Sequence, residues 1–153
     1  MKRALAFFPD AEPLIDFPYQ LRSRYSETDK MGYVFYGNYP DYFEVARTEM
    51  MRSSGFAYSS LEQQGIILPV VDMYVCYNKP IYYDELMTIH VYLYDMPNVR
   101  LDTYYKIYCG DEHSLRITGR VTLAFVNEKT RRPTRITKPF LEALESLREN
   151  EHA

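Results

Sequence analysis

Four strand-like runs joined by very short connections constrain this chain more than any other feature of it. They lie near Val70–Asn78, Leu86–Met96, Arg100–Cys109 and Leu115–Asn127, parted by "NKPIYYDE", "MPN" and "GDEH", with "NEKTRRP" after the last. A parallel crossover needs a dozen or more residues, so neighbours joined this tightly must run antiparallel. Such a sheet needs something to cover at least one face. The run "MTIHVYLYDM" is apolar at Ile89, Val91 and Leu93, yet it also carries Met87, His90, Tyr92 and Tyr94. Both faces therefore read as partly dry, and the sheet or its edge is expected to meet a second copy of the chain.

The cover for one face lies upstream. From Asn38 to Ser54 the apolar residues Tyr42, Phe43, Ala46, Met50 and Met51 recur at helical spacing. Asn38 is a suitable N-cap, Pro40 fits the first turn, and Gly55 is a natural stop. Asp41 and Glu44 sit early and Arg52 late, as the helix dipole favours. Before this helix, Phe17 to Tyr25 alternates, with Phe17, Tyr19, Leu21 and Tyr25 on one side, which predicts a half-buried strand. A short helix is expected at "SSLEQQG", with Ser59–Glu62 or Ser60–Gln63 as a capping box, and a last one from Pro139 to about Glu149. The order is strand, long helix, four antiparallel strands, tail helix: an α+β domain over residues 17–148 behind a loosely tied arm, 1–16.

At 153 residues one domain with a full core is expected. The net charge is −3 and no face is visibly basic, so nucleic acid is not expected as a partner. No apolar stretch reaches the ~20 residues of a membrane helix, and "MKRALAFFPDAEP" does not read as a signal peptide, so the expectation is a cytoplasmic protein. Cys76 and Cys109 read as buried free thiols. Sixteen Tyr, eight Phe and no Trp suit half-buried sheet, where an apolar body and a polar tip both find a place.

The three histidines, His90, His113 and His152, have no metal-ligand spacing. No Gly-x-Ser-x-Gly elbow and no glycine-rich phosphate loop appears. Carboxylates remain. Glu27, Asp29 and Asp41 could be imagined around a cation, but the spacing of hard-ion loops is missing, and no cofactor is expected. Asp29 has a simpler use. Beside a bound thioester it could direct water onto the carbonyl as a general base, or attack it as a nucleophile. Charge then grows on the carbonyl oxygen. Free N–H groups near Tyr36, Gly37 and Asn38, where the long helix begins, could stabilise it, with Gly37 leaving room for the substrate. The competing reading is that Asp29 caps a turn and Gly32 and Gly37 only shape the loop. Both stand on residue types alone.

The stretch "RYSETDKMGYVFYGNYPDYFEVARTEMMR" resembles the signature of the 4-hydroxybenzoyl-CoA thioesterase family of hot-dog-fold proteins and of the related Tol-Pal-associated acyl-CoA thioesterases. The likeness lies in an aromatic strand end, Thr-Asp-x-x-Gly, an aromatic stretch, Asn-Tyr, and a helix bearing Ala-Arg-x-Glu. "NKPIYYDELMTIHV" and "VNEKTRRPTRITKPFLEAL" resemble the family's later segments, so the likeness spans about Phe17 to Leu147. It implies a hot-dog fold, an antiparallel sheet wrapped around one long helix, in a homodimer or homotetramer with active sites at subunit interfaces. It implies an acyl-CoA substrate, Asp29 as the catalytic aspartate, the Tyr36 amide as carbonyl donor, and Tyr25 as a site-lining aromatic. Tyr36 stands where one branch has histidine, and Tyr82 stands where a basic residue is common. Lys79, Arg131 and Arg132 are the cations that could replace the latter, and Asn38 joins the substrate-binding set. The alternative is a non-catalytic hot-dog protein that binds acyl-CoA or an acyl carrier protein. A hydratase of the same fold would want a loop histidine that this chain lacks.

Overall fold

The computed structural model describes residues Lys2–Glu151. His152, named above, lies outside the described residues. The elements in chain order are α1 (Lys2–Leu5), β1 (Ile15–Arg22), α2 (Tyr39–Ser53), α3 (Tyr58–Gln63), β2 (Ile66–Ile67), β3 (Val70–Tyr77), β4 (Leu86–Leu93), β5 (Arg100–Cys109), β6 (Ser114–Ala124), β7 (Val126–Asn127) and α4 (Lys138–Glu151). Five strands form one antiparallel sheet in the order β1-β4-β5-β6-β3. The short connections behave as expected: β4–β5 and β5–β6 are sequence neighbours and ladder neighbours.

The sheet has an inner face set by strict alternation. Met87, Ile89, Val91 and Leu93 of β4, and Leu101, Tyr105, Ile107 and Cys109 of β5, point to it and are buried. Phe17, Tyr19 and Leu21 of β1 pair with Val91, Ile89 and Met87 and pack against this core. Against it lies α2, burying Tyr39, Tyr42, Phe43, Ala46, Met50 and Met51. Each such side chain removed from water contributes about 1.5–3 kcal/mol. Phe43 stacks on Tyr105 with centroids 4.3 Å apart. Gly119 on β6 makes room for that ring, because a Cβ there would meet Phe43 Cε2 at 2.5 Å. Sheet and long helix thus form the hot-dog arrangement.

Several boundaries differ from the sequence reading. The first strand begins at Ile15 and ends at Arg22, and Tyr25 instead opens a 3-10 turn, Tyr25–Glu27. A second 3-10 turn, Tyr36–Asn38, precedes α2, so Asn38 is in helical dihedrals and makes no side-chain cap. Its side-chain amide donates to Glu27 O at 2.7 Å instead. The short helix starts from Ala57 with no side-chain cap, so neither proposed capping box forms. The last strand run breaks at Phe125, which is buried, and its end pairs with β2 as a separate two-stranded ladder.

The arm is docked rather than loose. The Ala4 carbonyl accepts Thr118 Oγ1 at 2.5 Å, and Ala4 is buried. Phe7 meets Tyr74, and Phe8 meets Tyr92, Tyr94 and Tyr104, so the chain itself covers part of the outer sheet face. Both cysteines are free and buried. No helix among the described residues is long and apolar enough to cross a membrane.

Candidate active site

The loop from Thr28 to Val34 is folded tightly by its own sequence. Thr28 and Val34 bridge antiparallel, Asp29 N–H donates to Tyr33 O at 3.0 Å, and Gly32 N–H donates to Asp29 O at 3.0 Å. Gly32 has φ +88°, a left-handed conformation that glycine adopts without steric cost. Met31 N–H donates to Asp29 Oδ1 at 2.8 Å. Asp29 therefore does cap its turn through one oxygen, and that bond fixes the direction of the whole carboxylate.

Asp29 lines a cleft of about 350 Å³. Met31, Tyr33, Val34 and Tyr36 of the same loop form one wall, and Tyr39 from the start of α2 forms the back. Tyr77, Asn78, Lys79 and Pro80, at the end of β3 and beyond it, form the opposite wall with Ile117 of β6. The walls are tied together. Val34 N–H donates to Ile81 O at 2.8 Å, and Tyr77 OH donates to Tyr36 O at 3.1 Å. Arg116, on β6, holds the far wall: its carbonyl accepts Asn78 and Lys79 N–H, and its guanidinium reaches Pro80 O and Glu85, both at 2.8 Å. Burial raises the phenol of Tyr39 well above the usual range, with Cys109 and Tyr77 adding to it, so its hydroxyl keeps its proton.

Glu27, imagined earlier as a cation ligand, is otherwise engaged. It accepts Tyr42 OH at 2.9 Å, Arg24 Nη2 at 3.0 Å and Arg24 N–H at 2.7 Å. Burial opposes its charge, but these hydrogen bonds outweigh it and hold the carboxyl below its ordinary value. The Glu27 carbonyl also accepts Phe35 N–H and the Asn38 side chain, so this residue ties the loop to the start of the helix.

Of the residues singled out in the sequence, Asp29, Tyr36 and Lys79 line one cleft. The first amide bonded within the 3-10 turn is that of Asn38, to Phe35 O at 3.0 Å. The amides of Tyr36 and Gly37 precede it, as the leading donors of a helical turn do. Gly37 is not among the lining residues, and it accommodates a ring of its own loop, since a Cβ there would meet Phe35 Cε1 at 2.7 Å. Asn38 braces the loop and is not among the lining residues. Tyr25 is 78% exposed, leans edge-on to Tyr83 and stands apart from the cleft lining. Arg131 and Arg132 lie in the turn after β7, whose ends are joined by Asn127 N–H to Arg132 O, and do not line the cleft. Tyr33, Tyr39, Tyr77 and Ile117 were not anticipated. Tyr33 and Tyr39 come from the loop and the start of α2, while Tyr77 and Ile117 are brought opposite them by the β3–β6 ladder.

Comparison with known proteins gives a consistent answer. Residues 23–144 match the Thioesterase-like superfamily. The chain is 33% identical over 121 residues to YneP of Bacillus subtilis (strain 168), named as a candidate acyl-CoA thioesterase, covering 79% of this chain and 87% of that protein. It is 27% identical over 125 residues to the acyl-CoA thioester hydrolase YbgC of Escherichia coli O6:H1, covering 82% of this chain and 92% of the other. A DHNA-CoA thioesterase from Staphylococcus aureus superposes with a TM-score of 0.81 at 34% identity, over 91% of this chain and 96% of that one.

Proposed function

The chain belongs to the Thioesterase-like superfamily and is a thioester hydrolase of hot-dog fold, and we propose that it hydrolyses an acyl-CoA at the Asp29 cleft. The observation that supports this reading is that Asp29, whose carboxylate is held by Met31 N–H, and Tyr36, which opens the turn before α2, line one largely apolar cleft. With Asp29 as base, a water loses its proton to the carboxylate as its oxygen bonds to the thioester carbon. The carbonyl oxygen takes up negative charge and is met by the amides of Tyr36 and Gly37. The C–S bond then breaks, and the proton passes from Asp29 to the departing thiolate. With Asp29 as nucleophile, its oxygen bonds to the thioester carbon, the C–S bond breaks and the CoA thiolate leaves to take a proton from water, and a second water cleaves the resulting anhydride to the acid and free Asp29. Incorporation of labelled water oxygen into the Asp29 side chain during turnover would mark the nucleophilic route, with water attacking the Asp29 carbon of the anhydride.

Tyr33, Tyr36, Tyr39 and Tyr77 around the cleft suit a flat, apolar acyl group. A second copy fits at the free edge of β3, where Val70, Val71, Met73 and Tyr74 are exposed, because an open apolar edge is a template for strand addition. The test is thiol release from a panel of aliphatic and aromatic acyl-CoAs by wild type and Asp29→Asn. The variant is expected to lose roughly 10²–10⁴ in kcat/KM. Equal turnover by the two proteins would remove Asp29 from the chemistry. CoA-ester binding without thiol release would return the protein to the non-catalytic alternative.

A further inference from the structure

A second hollow of about 260 Å³ adjoins the cleft on the outer side of β3. It is lined by Arg3 and Ala4 of the arm and by Tyr74 to Asn78. Tyr77 and Asn78 line both hollows, so the two meet at the end of β3, past its free edge. The arm is anchored there by Thr118 Oγ1 to Ala4 O at 2.5 Å and by Phe7 against Tyr74 at 4.6 Å. Arg3 thus stands beside the rim on a seated segment. This segment precedes the superfamily match, which begins at residue 23.

The cations around this rim differ in what they already hold. Arg116, which braces the far wall, is committed to Glu85. Among the described residues neither Arg3 nor Lys79 has a carboxylate partner, and the Lys79 ammonium reaches only Ser114 Oγ, at 3.5 Å. A CoA thioester is long and bears its phosphates at the end remote from the reacting carbon. With the acyl group in the cleft, an exit past Tyr77 and Asn78, which line both hollows, brings that end to the second hollow. We propose that Arg3 of the docked arm, together with Lys79, binds the phosphates of CoA, making the arm part of the substrate site. This rests on the acyl-CoA reading of the cleft.

The experiment reads binding, so that it stands apart from hydrolysis. Full-length wild type, Arg3→Ala and Arg3→Lys are titrated calorimetrically with CoA and with pantetheine, which lacks the nucleotide and phosphates. Losing one charge-assisted contact is expected to weaken CoA about tenfold in Arg3→Ala and leave pantetheine unchanged. Arg3→Lys should recover most of the affinity, and added salt should weaken CoA less in Arg3→Ala than in wild type. Equal CoA affinity in wild type and Arg3→Ala overturns the proposal. So does an equal loss on both ligands, which would mark an undocked arm, and so does a wild type that does not bind CoA. Failure to release thiol bears on the hydrolase reading alone.

Discussion

The outer sheet face and the cleft are both built of tyrosine, and they use it in opposite ways. On the outer face Tyr92, Tyr94 and Tyr104 pack on one another and on Phe8, with Lys106 Nζ 5.1 Å from the Phe8 centroid. Nearby, His90 pairs with Asp16 at 2.6 Å and stacks on Tyr92. Every ring there has a protein neighbour, and Tyr92 is only 7% exposed. In the cleft, Tyr36 and Tyr77 each have one ring neighbour, Phe35 at 4.4 Å and Tyr39 at 5.6 Å, and remain 65% and 52% exposed. Aromatic surface that the fold has already covered serves stability. Aromatic surface left open beside a fixed carboxylate is the part available to a ligand.

The largest expected effect sets the two regions against each other. Asp29→Asn should abolish most turnover while leaving the melting temperature close to wild type, because the side-chain amide oxygen can still accept from Met31 N–H. Phe8→Ala should do the reverse. It removes ring packing worth roughly 1–2 kcal/mol of stability and should leave kcat within about twofold, the two rate assays sharing one substrate at saturation. Should Phe8→Ala cut kcat as deeply as Asp29→Asn, the separation of a structural face from a functional one would not hold.

What the sequence made legible follows from how each feature is encoded. The α2 core residues Tyr42, Phe43, Ala46 and Met50 repeat at one period, and the β4 and β5 alternation at another, so both could be read locally. Asp29 was legible because its loop, its glycine and the following helix are contiguous. The opposing wall was not. Tyr77 and Ile117 meet Asp29 only through the β3–β6 ladder and the Ile81–Val34 bond, and no short-range pattern records that. Tyr25 was placed on a strand by alternation, but the chain turns after Arg22. Ser23 there donates its hydroxyl to Tyr82 O and accepts Glu85 N–H, and the 3-10 turn that follows takes Tyr25 outward. Arg47, buried in the apolar stripe of α2, donates through Nη1 to Tyr105 OH at 3.0 Å, a partner 58 residues away, while its Nε has no partner among the described residues.

A smaller effect concerns pH. The Glu27 carboxyl is held below its ordinary value in the fold by Arg24 and Tyr42, against the opposing effect of burial. Its stabilisation is therefore present above the unfolded-state value and fades as pH falls through the folded one. Glu27→Gln should lower Tm at neutral pH by on the order of 2–4 °C, the shift that about 1 kcal/mol produces in a chain of this size. The gap between variant and wild type should close as the melts are repeated at increasingly acid pH. A gap that widened on acidification would mean that Glu27 is not held as an anion.

The smallest effect tests whether the cleft walls need their tie. Tyr77→Phe removes only the bond to Tyr36 O and keeps the ring that lines the cleft. The bond is exposed, so its loss should cost no more than about 0.5–1.5 kcal/mol. The carbonyl it holds belongs to the turn whose leading amides are proposed to meet the thioester oxygen, so on that proposal a loosened turn should slow the chemical step more than it weakens binding. Steady-state kinetics should give a kcat reduced about two- to fivefold with KM nearly unchanged. If KM rises alone, Tyr77 is a wall of the cleft and nothing more, and the amides keep their aim without it.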